Sequence, residues 1–207
     1  MKKEIREQIL NAFQIESDSI LATRDCMDME AFSRAVDVLS QAPRIAATGC
    51  GHSGIACRHF AHSMCCINRP ARFLSPAEAI HGASGFLKSG DVLVWASRGG
   101  KTDELFKILD ICHAKQAVII GVTENLSSPL AIQSDIVLPM KVTSETDKYN
   151  SQGTSSFIAL SSVFDALQTA VLEETDYRNE EFALNHPGGA VGKRLNSGHC
   201  EKVQNML

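Results

Sequence analysis

Arg44-Ile-Ala-Ala-Thr-Gly-Cys-Gly-His-Ser-Gly54 is a short apolar run that stops at a glycine-rich turn, after which a helix-compatible stretch begins. A turn of this kind presents free backbone N–H groups at a helix N-terminus, where the aligned peptide dipoles favour an anion. We therefore interpret the turn as a phosphate cradle, with Gly51 and Ser53 as candidate phosphate-binding residues.

The same turn approximates the dinucleotide fingerprint Gly-x-Gly-x-x-Gly, which also requires an acidic residue about 20 residues later. The corresponding stretch, residues 67–73, has no acid and carries Arg69 and Arg72. Two basic groups suit phosphate better than ribose hydroxyls. On these residues alone, a dinucleotide site and a purely structural glycine turn stay open as alternatives.

Short apolar runs alternate with helix-compatible segments along the chain, which is typical of βαβ units and a parallel sheet covered on both faces. Predicted strands cover 44–48, 71–74, 91–96, 117–122 and 135–140, and predicted helices cover 4–23, 29–39, 53–66, 103–114, 129–133 and 153–174. The fold class is therefore α/β: a three-layer sandwich around a mostly parallel five-stranded sheet, flavodoxin- or Rossmann-like. We expect one domain over residues 1–207, with N-terminal helices in about 1–41.

Composition and charge limit the function classes. The chain is 44% hydrophobic and 21% charged, and no stretch approaches the roughly 18 unbroken apolar residues of a membrane span. A net charge of -4 gives no overall positive field for nucleic acid. The charged N-terminus is unlike a signal peptide, and the odd number of cysteines, 7, suits reduced thiols. We therefore expect a cytoplasmic protein with a small anionic ligand and neither a membrane nor a nucleic-acid partner.

A second polar, glycine-rich turn follows the strand at 91–96. Ligands of parallel sheets sit beyond the carboxyl ends of the strands, so both turns should lie at one edge of the sheet. We expect this second turn to share in holding the phosphate, and its residues are Ser97, Arg98, Gly99, Gly100, Lys101 and Thr102.

The tail reads Asn185-His-Pro-Gly-Gly-Ala190. Together with both turns, residues 77–82 and the segment around Glu145, it resembles the sugar isomerase (SIS) domain of D-arabinose-5-phosphate isomerases over about residues 40–195. The resemblance implies cofactor-free interconversion of D-ribulose 5-phosphate and D-arabinose 5-phosphate, which feeds synthesis of the 3-deoxy-octulosonate (KDO) sugar of lipopolysaccharide and capsule. It also implies a homotetramer with shared active sites. Many members carry a CBS pair after this domain, and the present chain resembles a single-domain form without it.

The resemblance also implies the catalytic residues. An aldose–ketose isomerisation needs a base for the proton next to the carbonyl and a donor for the developing enediolate. We expect His186 to move the proton and His81 to hold a hydroxyl or the carbonyl oxygen. Glu104 and Glu145 would assist ring opening, orient His186 or shuttle hydroxyl protons. Without the resemblance, such residues are more often hydrogen-bonded structural histidines and solvated carboxylates.

The chain departs from the family at both turns. His52 stands where the family usually has a catalytic lysine, and a mostly neutral imidazole neutralises phosphate or an oxyanion less well. Gly99 stands where the family usually has a serine, so one hydroxyl is missing from the turn. Arg98 and Lys101 add two cations, which either contact the phosphate or project into water. These departures leave two alternatives open: another phosphosugar isomerase, or a non-catalytic sugar-phosphate or nucleotide-sugar sensor.

One predicted helix carries His59, His62, Cys65 and Cys66, which are ligand types that zinc accepts. A single helix rarely closes a tetrahedral site, and cysteines on a buried helix usually behave as small apolar residues. Ser75 stands where some members of the similar family have a zinc-binding histidine. From sequence we therefore expect no metal.

Overall fold

A computed structural model describes residues 1–196, and its centre is a five-stranded sheet. The strands are β1 (Ile45–Thr48), β2 (Ala71–Phe73), β3 (Val92–Ala96), β4 (Val118–Thr123) and β5 (Ile136–Pro139). They lie in the order β2-β1-β3-β4-β5, and each neighbouring pair is parallel. The predicted α/β class is confirmed, and the sheet is wholly parallel.

Helices precede, connect and follow the strands. They are α1 (Lys3–Asp25), α2 (Met29–Gln41), α3 (Gly51–Cys66), α4 (Pro76–Ala79), α5 (Phe106–Lys115), α6 (Pro129–Gln133), α7 (Ser155–Glu174), α8 (Asn179–Asn185) and α9 (Gly189–Asn196). Short 3₁₀ turns occupy Ala83–Phe86 and Asp103–Leu105, so the helix predicted from 103 begins as a 3₁₀ turn. The tail forms α8 and α9, which the apolar pattern did not indicate. The predicted domain also includes residues 197–207, which lie outside the described residues.

The sheet forms the middle layer of three, because successive side chains of a strand point to opposite faces. In β3, Val92 and Val94 belong to a core with α2, α3 and α7. Leu93 and Trp95 belong to a second core on the other face, with α5 and α6. Burial on both faces is why β3 reads as a continuous apolar run.

α1 packs against α7. Only Ser19 and Thr23 of α1 are buried, and the Ser19 hydroxyl lies 2.9 Å from that of Thr143. The N-terminal half of α1 instead exposes a series of apolar side chains: Ile5, Ile9, Leu10 and Phe13. Within the subunit, this apolar surface faces solvent.

α7 is the one helix in residues 1–196 that is long and apolar enough, by length and composition, to cross a membrane. Its buried side chains belong to the core beside the sheet, and Phe164 stacks on Phe60 of α3 with ring centroids 4.6 Å apart. Core helices of globular proteins pass the same test, so α7 is explained by its packing against α1, α2 and α3.

The strand order places the two glycine turns side by side. From β1 the chain passes first to β2 on one side and then to β3 on the other, so the winding direction reverses between β1 and β3. Thr48 at the end of β1 pairs in register with Trp95 near the end of β3. Ligands of open parallel sheets bind at such a reversal, beyond the carboxyl ends of the strands.

Candidate active site

The first turn brings the start of α3 into close contact with the end of β1. A Cβ on Gly54 would lie 2.5 Å from the Gly49 carbonyl oxygen, so the helix can approach only because residue 54 is glycine. Cys50 occupies the N-cap position, and its side chain makes no capping hydrogen bond. Gly51, His52 and Ser53 therefore begin a helix whose first N–H groups have no side-chain cap, which is the geometry that binds an anion.

Gly54→Ala is expected to destabilise the protein by about 1–3 kcal/mol, because the added methyl group must displace backbone at the turn. It should also weaken binding of inorganic phosphate. Urea unfolding and phosphate titration measure the two effects. Gly85→Ala is the matched control, since a Cβ there meets nothing within 4 Å. Equal unfolding free energies for the two variants would contradict the argument.

The second turn is held by its own side chains. The hydroxyls of Ser97 and Thr102 lie 2.9 Å apart, and the Gly100 N–H donates to the Ser97 hydroxyl at 3.2 Å. Gly100 has a φ of 64°, in the left-handed region where glycine is favoured. Gly99 and Lys101 are exposed. The turn is thus fixed from inside, with its tip open to solvent.

Arg98 is paired with two carboxylates. Its Nε donates to Glu124 at 2.7 Å, and one terminal nitrogen donates to Glu145 at 2.7 Å. The guanidinium therefore ties the second turn to the segments after β4 and β5. A phosphate contact by Arg98 stays a prediction.

Glu145 is buried, and its carboxylate is surrounded by donors. It accepts bonds from the Thr154 N–H at 2.9 Å, the Thr154 hydroxyl at 3.1 Å and the Ser156 N–H at 3.2 Å, besides Arg98. Burial raises the pKa of this carboxyl, but the hydrogen bonds from Ser156 and Thr154 and the Arg98 charge outweigh it and leave the pKa lowered. Glu145 thus fixes the start of α7, an arrangement suited to positioning; its catalytic role stays a prediction.

A cleft of about 820 Å³ opens beside the first turn. Of the predicted site residues, Gly51 and Glu104 line it. Sequence reasoning missed Arg58 and Lys107, which line the same cleft, and the Arg58 guanidinium lies 4.0 Å from the centroid of the Phe73 ring. Two carboxylates, those of Asp103 and Glu104, and two cations therefore share one cavity with the uncapped helix start. The cations and the helix start suit a phosphate, and the carboxylates suit sugar hydroxyls.

Helical spacing could have placed Arg58 and Lys107 beside the first turn. Arg58 follows Gly54 by one helical turn, and Lys107 follows Glu104 by three residues. The basic pair favoured from sequence has other partners: Arg69 donates to the Ser40 carbonyl, and Arg72 lies over the Phe86 ring. In the described chain, neither of these arginines lines the cleft.

The predicted histidines lie apart from one another. His52 packs over Gly153 and meets the Phe157 ring edge-on at 6.5 Å, so its ring is directed toward the start of α7. His81 is exposed immediately after Ile80, a residue that lines the cleft. His52 and His81 are not themselves among the cleft-lining residues of the described chain.

His186 lies at the opposite end of α3 from the glycine turn. Its Nε2 is 3.4 Å from the Cys66 sulfur, in the last residue of the helix. At 1.5 Å per residue, α3 separates this position from Gly51 by about 20 Å. Within one subunit, His186 therefore lies far from the first turn and from the cleft that Glu104 lines.

The chain is similar in sequence and in structure to sugar-phosphate isomerases. The arabinose 5-phosphate isomerase KdsD of Francisella tularensis is 30% identical over 202 residues, which are 96% of this chain and 60% of that protein. A candidate sugar-phosphate isomerase structure from Listeria monocytogenes superposes with a TM-score of 0.87 at 36% identity, covering 91% of this chain and all of the other. A protein of Escherichia coli CFT073, solved in complex with arabinose 5-phosphate, gives a TM-score of 0.85 at 26% identity over 90% of this chain and all of the other.

The chain spans about half the length of the curated relatives that it matches. The match to the family itself covers residues 38–170, from the end of α2 into α7, and so includes the whole sheet and both glycine turns. The chain therefore belongs to the SIS domain family.

Proposed function

We propose that this protein is an aldose–ketose isomerase that interconverts D-ribulose 5-phosphate and D-arabinose 5-phosphate without a cofactor. The observation that carries the proposal is the cleft at the β1–β3 reversal, where an uncapped helix start adjoins Glu104, Arg58 and Lys107. Relatives named arabinose 5-phosphate isomerase support this sugar. The phosphate would be held by the first N–H groups of α3, with Ser53 and the second turn beside them.

The reaction moves one proton between neighbouring carbons. A base removes the proton from C2 of the open aldose, the electron pair of that C–H bond forms the C1=C2 bond of an enediol, and the oxygen on C1 takes up a proton. Protonation of C1, with loss of the proton on O2, then gives the ketose. We assign the carbon-to-carbon transfer to His186 and hydroxyl proton transfer to Glu104. His81 would hold a substrate oxygen.

A homotetramer with shared sites fits two features of the subunit. The apolar side chains on the N-terminal half of α1 lack a cover within residues 1–196, and association would bury them. His186 lies too far from Glu104 within one chain to complete the site. The separation is resolved if each subunit supplies its tail to a neighbour's cleft.

We place the enzyme in the cytoplasm, in the synthesis of the 3-deoxy-octulosonate sugar of lipopolysaccharide or capsule. The cysteines among the described residues are free thiols, as expected in a reducing compartment. Burial raises the pKa of the Cys57 thiol well above its ordinary value. It is an inert core thiol.

A sensor that binds a sugar phosphate without converting it is the second candidate. The orientation of His52 favours it: the residue in place of the family lysine packs on Gly153 and leaves the cleft without a charge from this position. The remaining cations in the cleft could still bind a phosphate.

The purified protein is expected to convert arabinose 5-phosphate into ribulose 5-phosphate in the absence of added metal or nucleotide. Formation of the ketose is measured over time, with unphosphorylated arabinose as the control substrate that should not react. Binding of the sugar phosphate without any conversion would replace the proposal with the sensor. A panel of pentose and hexose phosphates ranks arabinose 5-phosphate against other sugars, and preference for another phosphosugar would correct the substrate.

A further inference from the structure

The end of α3 that lies opposite the cleft carries three side chains with soft metal-ligating atoms. Each of His62, Cys66 and His186 offers one ligand atom, and all three atoms lie within 4.8 Å of one another. His62 and Cys66 are four residues apart and share a face of α3, whereas His186 arrives from the end of α8. The tail thus supplies the ligand that a single helix lacked.

The distances fit tetrahedral zinc. With Zn–S near 2.3 Å and Zn–N near 2.0 Å, a tetrahedral angle separates sulfur and nitrogen by about 3.5 Å. The Cys66 sulfur lies 3.4 Å from His186 Nε2 and 3.7 Å from His62 Nε2. His62 is exposed, so its ring has room to complete the third edge.

The surroundings hold the ligands in place. The Phe182 ring stacks on the His186 imidazole at 4.0 Å, and the Tyr177 hydroxyl donates to the Cys66 carbonyl at 2.7 Å. The Asn185 side chain donates to Asn68 at 2.6 Å, which ties the residue before His186 to the end of α3. His186 Nδ1 is buried and has no hydrogen-bond partner in the described chain.

We propose that His62, Cys66 and His186 form a binding site for a zinc-class divalent ion, with the fourth position open to water. The ion would tie α8 to α3, because its ligands come from both elements. Under the proposed function, His186 Nε2 cannot hold the ion and accept a substrate proton together. The metal-bound subunit and the subunit that lends His186 to a neighbour are therefore two alternative states.

The test is metal binding to the metal-free full chain, without any sugar. The wild type should bind one Zn²⁺ per chain, and Co²⁺ in its place should give a thiolate-to-cobalt charge-transfer absorption. Cys66→Ser should abolish that absorption, and His62→Ala and His186→Ala should each weaken Zn²⁺ binding at least about tenfold. The His62 and Cys66 variants change exposed or half-exposed side chains, so folding is retained and circular dichroism checks it.

The helix provides matched controls. Cys65→Ser removes the adjacent exposed thiol, which donates to the Ala71 carbonyl at 3.1 Å, and His59→Ala removes a histidine 3.7 Å from Asp165. Both variants should bind Zn²⁺ and Co²⁺ as the wild type does. Binding that survives in Cys66→Ser, or falls equally in Cys65→Ser, would overturn the site. Since no turnover is measured, a failure of the isomerase proposal leaves this result interpretable.

Discussion

His186→Ala is expected to lower turnover of arabinose 5-phosphate by about 10²- to 10⁴-fold, because a positioned acid–base group typically supplies that factor. Binding of the sugar phosphate should persist, since the first turn and the cleft cations are unchanged. Initial rates and a separate binding titration distinguish the two effects. His113→Ala, which removes an exposed histidine from the last turn of α5, is the control and should turn over normally.

The position of His186 makes a stronger form of this experiment possible. Glu104→Gln removes the Glu104 carboxylate from the cleft and should also be inactive. The defects of the Glu104 and His186 variants, however, reside on different chains of a shared site. Mixing the inactive variants and allowing subunits to exchange should restore part of the activity, because some clefts then pair an intact Glu104 with an intact His186. Wild-type turnover by His186→Ala would show that the base is wrongly assigned. A mixture that stays inactive, although hybrid assemblies form, would contradict shared sites.

The sheet could be predicted from the sequence because its signals are local. The three central strands, β1, β3 and β4, are buried on both faces and read as apolar runs, and each of the two glycine turns directly follows its strand. Glu104 lies in the cleft beside the first turn, since it follows the neighbouring strand by only a few residues. The pairing of Arg98 could not be predicted, because its partners Glu124 and Glu145 follow other strands, and no local pattern joins them.

The contact between the tail and α3 also could not be predicted from local sequence. Cys66 and His186 are separated by 120 positions, and their contact exists because α8 folds back on the end of α3. From the sequence, this helix offered His59, His62, Cys65 and Cys66 as ligand types, and no metal was expected because a single helix rarely closes a tetrahedral site. The third ligand depends on tertiary structure, so the metal-site proposal could be made only with the fold in hand.

Glu145→Ala is expected to lower the free energy of unfolding by about 3 kcal/mol near pH 7, because it leaves Arg98 short of a partner and removes the acceptor for the N–H groups of Thr154 and Ser156. The Glu145 side chain is 4% exposed and that of Glu124 is 30% exposed. Glu124→Gln, the matched control on the same guanidinium, should therefore cost about 1 kcal/mol. Urea unfolding followed by circular dichroism measures both.

The free energy of unfolding measured at acid pH tests why Glu145→Ala is destabilising. The folded-state pKa of Glu145 is lowered, so the unfolded chain takes up this proton first as the pH falls. The stability that Glu145 contributes is present above its unfolded pKa of about 4.3 and is lost as the pH falls from there through the folded pKa. The wild type should therefore lose more stability than Glu145→Ala between about pH 5 and pH 3, and the gap between them should narrow. A gap that stays constant would mean that the substitution acts through packing rather than through the charge.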